Sequence, residues 1–286
     1  MLVSVVITTK NEEKNIRNCL LSIKNQMLNN IELEVIVVDN FSDDKTLEIA
    51  KKFNAKTDSI GPERNVQRNH GLLKMAKGQM LLWIDADMIL HPELISNAVS
   101  FLDKSDNAIA LTFPEIILGN SFFSKVRRFE RSFYDNTPID GSRLIKADAF
   151  KTAGGFSNTW LHGPDDWDLD MELRKIGKII HLKKVSYNKK FISYLKSKFL
   201  LNIGEYPIGV YHNETELGLI KHLKKKAHYS KDFQLYIKKW GKDNNIIKKQ
   251  IGIRYRFFTV FFENGKWLKT LKNFHLYLSF FIIKFL

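Results

Sequence analysis

Residues 80–87 read MLLWIDAD, an apolar run from Met80 to Ile84 that ends in two aspartates separated by one alanine. A short uninterrupted apolar run is typical of a strand that is buried on both faces. Where such a strand ends, the Asp-x-Asp (DXD) pattern of Asp85 and Asp87 could hold a hard divalent cation through oxygen ligands. An aspartate after a strand also commonly caps the next helix, so the pattern alone leaves both interpretations open.

Similar apolar runs occur before this one and alternate with amphipathic stretches. Leu2 to Thr9 and Glu34 to Asp39 read as buried strands, and residues 12–27 carry apolar side chains at helical spacings of three and four. Ser42 is a good N-cap for a helix over residues 43–53. The alternation predicts an α/β protein, with a mainly parallel sheet that is flanked by helices.

Ligands of open α/β sheets bind beyond the carboxyl ends of the strands, so the residues that end each apolar run are candidate site residues. They are Thr8, Thr9, Asn11 and Glu12 after the first strand, Asp39 after the second, and Asp85 and Asp87 after the later one. The sequence contains neither GxGxxG after the first strand nor GxxxxGK[ST] anywhere, which argues against dinucleotide oxidoreductases and P-loop ATPases. A metal ion and side chains would then have to bind any phosphates.

The net charge of the 286-residue chain is +14 and is unevenly distributed. Residues 178–286 contain 23 Lys/Arg against 6 Asp/Glu, whereas residues 1–177 contain 22 against 25. This division indicates a near-neutral catalytic part followed by a basic part that faces an anionic partner. Cys19 is the only cysteine, which excludes an intrachain disulfide and fits a reducing compartment.

Five ordered segments resemble the family 2 glycosyltransferases, which have the GT-A fold. They are VSVVITTKNEEKNI at 3–16, VIVVDNFSDDKT at 35–46, ERNVQRNHGLLKMAKGQMLLWIDADM at 63–88, ADAFKTAGGF at 147–156 and GPDDWDLDMELRKIG at 163–177. Five blocks in the expected order are far more specific than one Asp-x-Asp. The resemblance covers roughly residues 2 to 182 and implies a glycosyltransferase of nucleotide-linked sugars.

The resemblance assigns the donor-binding residues. It implies that Thr8, Asn11 and Glu12 line the nucleotide pocket, that Asp39 contacts the base, most often uracil, and that Asp85 faces the ribose. A loop-capping Asp39 is the alternative. Arg68, and less strongly Arg64, would approach the donor near its diphosphate, unless Arg68 is a solvated helix residue. Asp87 would bind Mg²⁺ or Mn²⁺ and thereby neutralise the departing nucleoside diphosphate.

The block Gly163 to Leu169 carries the expected acid–base chemistry. Inverting sugar transfer needs a carboxylate that takes a proton from the attacking hydroxyl. The resemblance makes Asp166 this base, places Asp165 beside it in contact with acceptor or base, and makes Trp167 an acceptor-subsite residue. Because this chain has Asp where many members have Glu at 165, the division of labour between 165 and 166 stays open. Neighbouring like charges could raise one pKa, and an Asp-rich helix N-terminus is the alternative explanation.

His212 follows a short apolar run, and in related GT-A enzymes a late histidine completes the metal site. Neutral imidazole suits Mn²⁺ well, so His212 is the second predicted metal ligand after Asp87. A surface or core-packed histidine is the competing interpretation.

We expect a GT-A catalytic domain over residues 1–215 and a basic, aromatic-rich helical extension over residues 216–286. The longest uncharged run of the extension, Asn273 to Ile283, has 11 residues, whereas a membrane-spanning helix needs about 20. Interleaved aromatic and cationic residues instead predict contact with an anionic membrane surface. The basic stretch YSKDFQLYIKKWGK at 229–242 also resembles the tail of lipid-linked-sugar transferases in this family. Packing on the catalytic domain or on another subunit is the alternative.

The combined prediction is a metal-dependent inverting transferase at the cytoplasmic face of a membrane. It would move a sugar from a nucleoside diphosphate, probably UDP by the resemblance, to a hydroxyl of a lipid-linked or surface glycan. The runner-up acceptor is a polyprenyl phosphate, as in dolichyl-phosphate-sugar synthases, for which Asp166 would lose its role as base. Nucleic-acid binding by the basic half is the remaining competitor, and it leaves the ordered acidic residues at the strand ends unexplained.

Overall fold

The computed structural model describes residues 1–159, 163–229 and 232–285. The strands are β1 Leu2–Thr9, β2 Glu32–Asp39, β3 Lys56–Ser59, β4 Met80–Asp85, β5 Met88–Leu90, β6 Ala108–Thr112, β7 Glu115–Ile117, β8 Leu144–Lys146, β9 Lys178–His181 and β10 Val210–His212. Within the described ranges, seven strands form one sheet in the order β3-β2-β1-β4-β8-β6-β9. β8 is antiparallel to both neighbours and the other pairs are parallel, so the predicted mainly parallel sheet is confirmed.

Helices cover both faces of this sheet. The α-helices are α1 Ile16–Lys24, α2 Thr46–Lys52, α3 Arg64–Asn69, α4 Leu94–Asp103, α5 Phe122–Arg131, α6 Ala147–Thr152, α7 Asp165–Leu173, α8 Lys189–Phe199, α9 Leu219–Tyr229, α10 Phe233–Trp240, α11 Asn245–Ile251, α12 Val260–Phe262, α13 Trp267–Lys272 and α14 Phe274–Phe285. Alternate residues of β1 enter different clusters: Val5 and Ile7 pack with α1 and α4, and Val6 packs with the α6 and α7 side. Burial on both faces explains why the central strands are continuous apolar runs.

Two predicted helix boundaries differ from the structure. The helix predicted over residues 12–27 is shorter, Ile16–Lys24, because residues 11–15 form the turn that leaves β1. The prediction that Ser42 caps a helix was wrong, since α2 begins at Thr46 without a side-chain cap. Ser42 instead donates its backbone N–H and its hydroxyl to Asp39, at 2.7 and 2.6 Å. A serine that can satisfy a buried carboxylate is held in the loop rather than at the helix terminus.

A second, small sheet has the order β5-β10-β7. β10 is antiparallel to β5, with His212 opposite Met88, and parallel to β7, with Val210 opposite Glu115. Because β5 begins one residue after Asp87, this sheet brings His212 next to the Asp-x-Asp segment. The predicted proximity of residues 87 and 212 therefore follows from strand pairing across 125 residues of sequence.

The C-terminal helices pack against α5 and α7. Phe129 of α5, Phe133 just after that helix and Trp167 of α7 share one apolar cluster with residues of the extension, which are Tyr236, Ile247, Tyr255, Val260, Phe261, Tyr277 and Phe280. Packing on the catalytic part, one of the two alternatives for this segment, is therefore observed. Among the described residues, no helix has both the length and the apolar character needed to cross a bilayer. The division at residue 215 and lipid contact both stay predictions.

Candidate active site

The carboxyl ends of β1, β2 and β4 lie side by side. Thr8 is in register with Asp85 on β4, and Thr9 is in register with Asp39 on β2. The parallel pairing therefore brings the strand-end residues that the sequence singled out to one edge of the sheet. Such an edge is the place where α/β sheets bind their ligands.

Asp39 is fully buried, and its carboxylate is already bonded to the loop around it. It accepts hydrogen bonds from the Thr9 hydroxyl at 2.7 Å and from Ser42. These contacts agree with the alternative interpretation, in which Asp39 caps the loop after β2. A contact between Asp39 and the nucleotide base stays a prediction.

Asn11 and Glu12 form the turn after β1. Asn11 has a φ of 54°, and its backbone N–H donates to the Ser42 hydroxyl at 2.8 Å. The Glu12 carboxylate accepts from the side chain of Asn15 at 2.9 Å. Partial burial, together with Asp87 and Asp85, raises the pKa of Glu12. The turn thus adds a third acidic group beside the Asp-x-Asp segment.

Asp87 and His212 form a pair at the junction of the two sheets. His212 Nε2 lies 3.0 Å from Asp87 Oδ2. The other oxygen, Asp87 Oδ1, is buried and has no hydrogen-bond partner. Against the effect of burial, the carboxylates of Asp87 and Glu115 raise the pKa of His212 well above its ordinary value. A lone buried oxygen beside an imidazole nitrogen has the ligand chemistry of a divalent-cation site.

No larger ligand set surrounds this pair: across the described ranges, no three His, Cys, Asp or Glu side chains are grouped so that they could hold a metal ion. Asp87 and His212 would supply two ligands at most. The remaining positions would belong to water and to phosphate oxygens, as is usual for Mg²⁺ in nucleotide sites.

Arg68 is buried between two carboxylates. Its Nη1 donates to Asp165 Oδ2 at 2.6 Å and its Nη2 to Asp85 Oδ1 at 3.2 Å. The guanidinium also lies over the ring of Trp83, 4.2 Å from the centroid. With only 3% of the residue exposed, the alternative of a solvated helix arginine is wrong. Arg68 connects the carboxylates of Asp85 and Asp165, and its contact with a diphosphate stays a prediction.

Two arginines act on the Asp85 carboxylate. Burial alone would raise its pKa, but Arg68 and Arg143 lower the pKa of Asp85 below the ordinary range. Arg143 Nη1 lies 3.9 Å from Asp85 Oδ2 and has no hydrogen-bond partner in the described part of the chain. The two arginines therefore stabilise the charged form of Asp85.

The two acids that begin α7 have different environments. Asp165 is buried and is paired with Arg64 at 3.2 Å as well as with Arg68. Despite burial, these arginines lower the pKa of Asp165. Burial and the adjacent Asp165 carboxylate raise the pKa of Asp166. Of the two acids, only Asp166 has a raised pKa, in the direction predicted from like charges, and it is partly exposed.

Trp167 and Asp168 face the C-terminal helices. The Trp167 indole N–H donates to the Ile139 carbonyl at 3.0 Å, and its ring stacks on Phe233 at a centroid distance of 5.9 Å. Asp168 accepts from Lys239 and Trp240, both at 2.7 Å. These are contacts of interior residues that attach α10 to α7. The acceptor-binding role of Trp167 stays a prediction.

Comparison with known families decides what kind of protein carries this arrangement. The model of the family "Glycosyl transferase family 2" matches residues 4–159, which is more than half of the chain. The chain belongs to glycosyl transferase family 2. The chain therefore carries a glycosyltransferase domain of this family, as the five ordered sequence blocks predicted.

Curated relatives of this family 2 glycosyltransferase share its N-terminal part. The poly(ribitol-phosphate) β-N-acetylglucosaminyltransferase TarS of Staphylococcus aureus is 35% identical over 122 residues, which are 39% of this chain and 20% of TarS. The glycosyltransferase AglE of Haloferax volcanii is 28% identical over 178 residues, 57% of this chain and 58% of AglE. The chain thus spans about a fifth of TarS and less than two thirds of AglE.

Solved structures agree on the fold. The structure of S. aureus TarS residues 1–349 with UDP-GlcNAc has a TM-score of 0.59 and 21% identity, and covers 98% of this chain and 79% of that one. The mannosyltransferase PcManGT of Pyrobaculum calidifontis, with GDP-Man and Mn²⁺, has a TM-score of 0.60 and 18% identity, with coverage of 90% and 70%. The predicted GT-A fold is confirmed.

Sequence reasoning did not find three residues of this family 2 site: Trp83, Glu115 and Arg143. Trp83 lies in the apolar run of β4, where an aromatic residue reads as core, yet its ring contacts both Arg68 and Arg143. Glu115 lies 3.0 Å from His212 Nδ1. The only signal for Glu115 was an acidic residue at the start of a short apolar run, which is too common to be informative.

Proposed function

We propose that this chain is a metal-dependent, inverting glycosyltransferase that moves a sugar from a nucleoside diphosphate, preferably UDP, to a hydroxyl of a surface or lipid-linked glycan. The observation that carries the proposal is the pairing of Asp87 with His212 at the strand ends that also hold Asp85. The TarS structure with UDP-GlcNAc and the relatives named for poly(ribitol-phosphate) support the donor and acceptor classes.

The residues at the junction of the two sheets fit a divalent cation. Asp87 Oδ1 is buried without a partner, and His212 Nε2 adjoins the other oxygen of the same carboxylate. Mg²⁺ or Mn²⁺ held by these two side chains would neutralise negative charge on the leaving diphosphate. Mn²⁺ accepts imidazole more readily than Mg²⁺ does, and PcManGT was solved with Mn²⁺.

Asp166 is the proposed general base. Its raised pKa brings it closer to the working pH, as proton abstraction from an acceptor hydroxyl requires. Asp165 is unsuited to this role because two arginines stabilise its charged form. One base on the acceptor side implies direct displacement and hence inversion at the anomeric carbon. In this arrangement, Asp165 fixes the start of α7 and Asp166 takes the proton.

A polyprenyl phosphate is the second candidate acceptor. Its attacking oxygen is already ionised, so Asp166 would have no proton to remove. The hydroxyl acceptor is favoured because a partly buried acid with a raised pKa would have no function in a site whose nucleophile is already charged.

The extension is proposed to bind the cytoplasmic face of an anionic membrane. Its inner surface packs on α5, but large apolar residues remain exposed on its outer surface: Phe258, Phe262, Trp267, Leu268, Leu271, Phe274, Leu278 and Ile282. Apolar side chains interleaved with lysines suit the headgroup region of anionic lipid. Peripheral attachment would bring the active site close to a lipid-linked glycan.

The test of the metal-dependent donor site is UDP binding by calorimetry with and without Mn²⁺. Wild-type protein is expected to bind UDP with Mn²⁺ and to lose most of this affinity in EDTA. Asp87→Ala is expected to lose the Mn²⁺-dependent part. Asp106→Ala, which removes an exposed acid from the turn before β6, is the control and should behave as wild type. Equal affinity of wild type and Asp87→Ala in Mn²⁺ would contradict the assignment.

A further inference from the structure

His212 has an acidic partner on each side of its ring. Nε2 lies 3.0 Å from Asp87, and Nδ1 lies 3.0 Å from Glu115 Oε1. Glu115 begins β7 and reaches the imidazole diagonally across the β7–β10 pair, in which it is in register with Val210. Each nitrogen therefore faces a different carboxylate, and backbone pairing rather than a mobile loop sets these positions.

Glu115 is itself held from behind by two arginines. Its Oε2 accepts from Arg143 at 3.1 Å and from Arg131 at 3.2 Å, and Arg131 also lies 2.8 Å from Asp140. The two guanidinium groups fix the orientation of this carboxylate and leave Oε1 facing the ring of His212. An ionised carboxylate in a fixed position is a strong acceptor for an imidazole N–H.

A histidine binds a metal through one nitrogen only if the other carries the proton. When a cation takes the place of the proton on Nε2, an acceptor at Nδ1 keeps the other proton there and makes the imidazole a stronger ligand. The ring orientation is fixed at the same time. Glu115 Oε1 supplies this acceptor at Nδ1, whereas Asp87 lies at the other nitrogen, Nε2.

We infer that Glu115 is the positioning residue of the metal site: it keeps the proton of His212 on Nδ1 and directs Nε2 toward a cation that is shared with Asp87. The inference rests on the proposed metal-dependent function and deepens it. The Glu115–Arg143 contact extends the same assembly to Asp85, because Arg143 lies 3.9 Å from that carboxylate. Glu115 thus contacts His212 on the proposed metal side and, through Arg143, is linked to Asp85 on the proposed ribose side.

Removal of such an outer partner typically weakens metal binding 10- to 100-fold. Mn²⁺ binding is measured from the free Mn²⁺ signal in electron paramagnetic resonance, in titrations with and without UDP. Glu115→Gln is expected to bind Mn²⁺ about 10-fold more weakly than wild type. Glu115→Asp keeps the charge for Arg131 and Arg143 but shortens the reach to Nδ1. It should show a similar loss and serves if Glu115→Gln does not fold.

A double-mutant cycle separates positioning from general support of the fold. In a His212→Ala background, Glu115→Gln should weaken Mn²⁺ binding less than twofold, because the residue through which it acts is gone. Asp140→Asn is the matched control: it removes another buried acid from Arg131 without touching His212, and its Mn²⁺ affinity should equal that of wild type.

The outcomes distinguish this inference from the function on which it rests. If wild-type protein binds no Mn²⁺ in either titration, the metal role fails and the inference with it. If wild type binds Mn²⁺ and both Glu115 variants bind it equally well, the inference alone is overturned. A loss that persists undiminished in the His212→Ala background also overturns it, because Glu115 would then act on the fold and not on the ring.

Discussion

Arg68 Nη1 lies 2.6 Å from Asp165 Oδ2, and this contact joins the helix after β3 to the first residue of α7. The other end of the guanidinium reaches Asp85 on β4. The acids predicted to face the donor and the acceptor are thus connected through one buried cation. Their spacing is set by the planar, rigid geometry of the guanidinium, which a lysine would not reproduce.

Arg68→Ala should destabilise the protein strongly. Removing one partner of a buried ion pair leaves the other charge uncompensated, which costs about 3 kcal/mol or more. Asp165, whose side chain is 7% exposed, would be left with Arg64. Urea unfolding followed by circular dichroism should therefore show a lower midpoint with an unchanged slope.

Arg64→Ala is the control for this prediction. Arg64 pairs with the same carboxylate, but its side chain is 40% exposed. Solvent-exposed pairs contribute about 1 kcal/mol or less, so the loss of stability should be several-fold smaller than for Arg68→Ala. Equal losses in the two variants would show that the buried bridge has no special role.

Asp166→Asn should lower turnover about 100-fold or more without lowering the melting temperature. General base catalysis by a positioned side chain contributes about 10² to 10⁴ in rate, and the amide of asparagine cannot accept the proton. The measurement is the initial rate of sugar transfer at saturating donor. Unchanged UDP affinity should accompany the loss, because Asp166 is not a donor ligand in this proposal.

Asp168→Asn tests whether any acid at this helix end would have the same effect. Asp168 bonds to Lys239 and Trp240, so its loss should loosen α10 and lower the melting temperature with little change in turnover. Near-normal turnover by Asp166→Asn would instead favour the phosphate acceptor, whose nucleophile needs no base.

The buried acid Asp170 should make stability depend on pH. Burial raises its pKa to about 7, while its carboxylate accepts from Ser142. Between about pH 4 and 7 the folded protein holds a proton that the unfolded chain releases, so the free energy of unfolding falls as pH rises. Above pH 7 both states are deprotonated and this contribution levels off.

Asp170→Asn should remove this contribution. The asparagine side chain keeps an oxygen for Ser142 but does not titrate. The free energy of unfolding is measured in urea at several pH values. The wild-type value minus the variant value should fall by a few kcal/mol from pH 4 to 7. A difference that stays constant over this range would show that Asp170 is ionised in the folded protein.

The sequence was most informative for candidate site residues that lie at the carboxyl ends of strands. Asp85 and Asp87 could be located because an apolar run fixes the end of β4, and parallel neighbours then bring Thr8 and Asp39 to the same edge. Local pattern and global topology agree at these positions. The family blocks added Asp166, and the late histidine of related GT-A enzymes added His212; no local period indicates either residue.

Residues that act through long-range packing could not be predicted in this way. Glu115 and Arg143 lie on or next to short strands, β7 and β8, whose partners are set by antiparallel or distant pairing. Arg68 was assigned to the right region, but its burial depends on Trp83 and Phe156, which reach it from β4 and from beyond α6. Ser42 failed as a predicted cap because a buried carboxylate competed for it.

Deleting residues 251–286 would be too coarse a test of membrane contact by the extension. Buried residues of this segment, among them Phe261 and Phe280, complete the cluster on α5, so deletion would expose the apolar face of the catalytic part. Single substitutions on the outer surface avoid this. Leu271 on α13 is 61% exposed, while Thr270 beside it faces inward at 2%.

Leu271→Ser should weaken binding to vesicles that contain phosphatidylserine. A leucine side chain contributes about 1.5 to 3 kcal/mol when it leaves water, and each 1.4 kcal/mol changes an equilibrium constant tenfold. Co-sedimentation should therefore show a roughly tenfold higher lipid requirement, with wild-type melting behaviour.

Leu200→Ser is the matched control, because Leu200 is 64% exposed but follows α8, outside the extension. It should bind vesicles as wild type does, because in this proposal only the exposed apolar residues of the extension contact lipid. Binding of both variants should also fall with salt, because lysines such as Lys272 attract the anionic headgroups through a screened interaction. If Leu271→Ser and wild type co-sediment equally with anionic vesicles, α13 does not contact lipid. The exposed surface of the extension would then face protein or water.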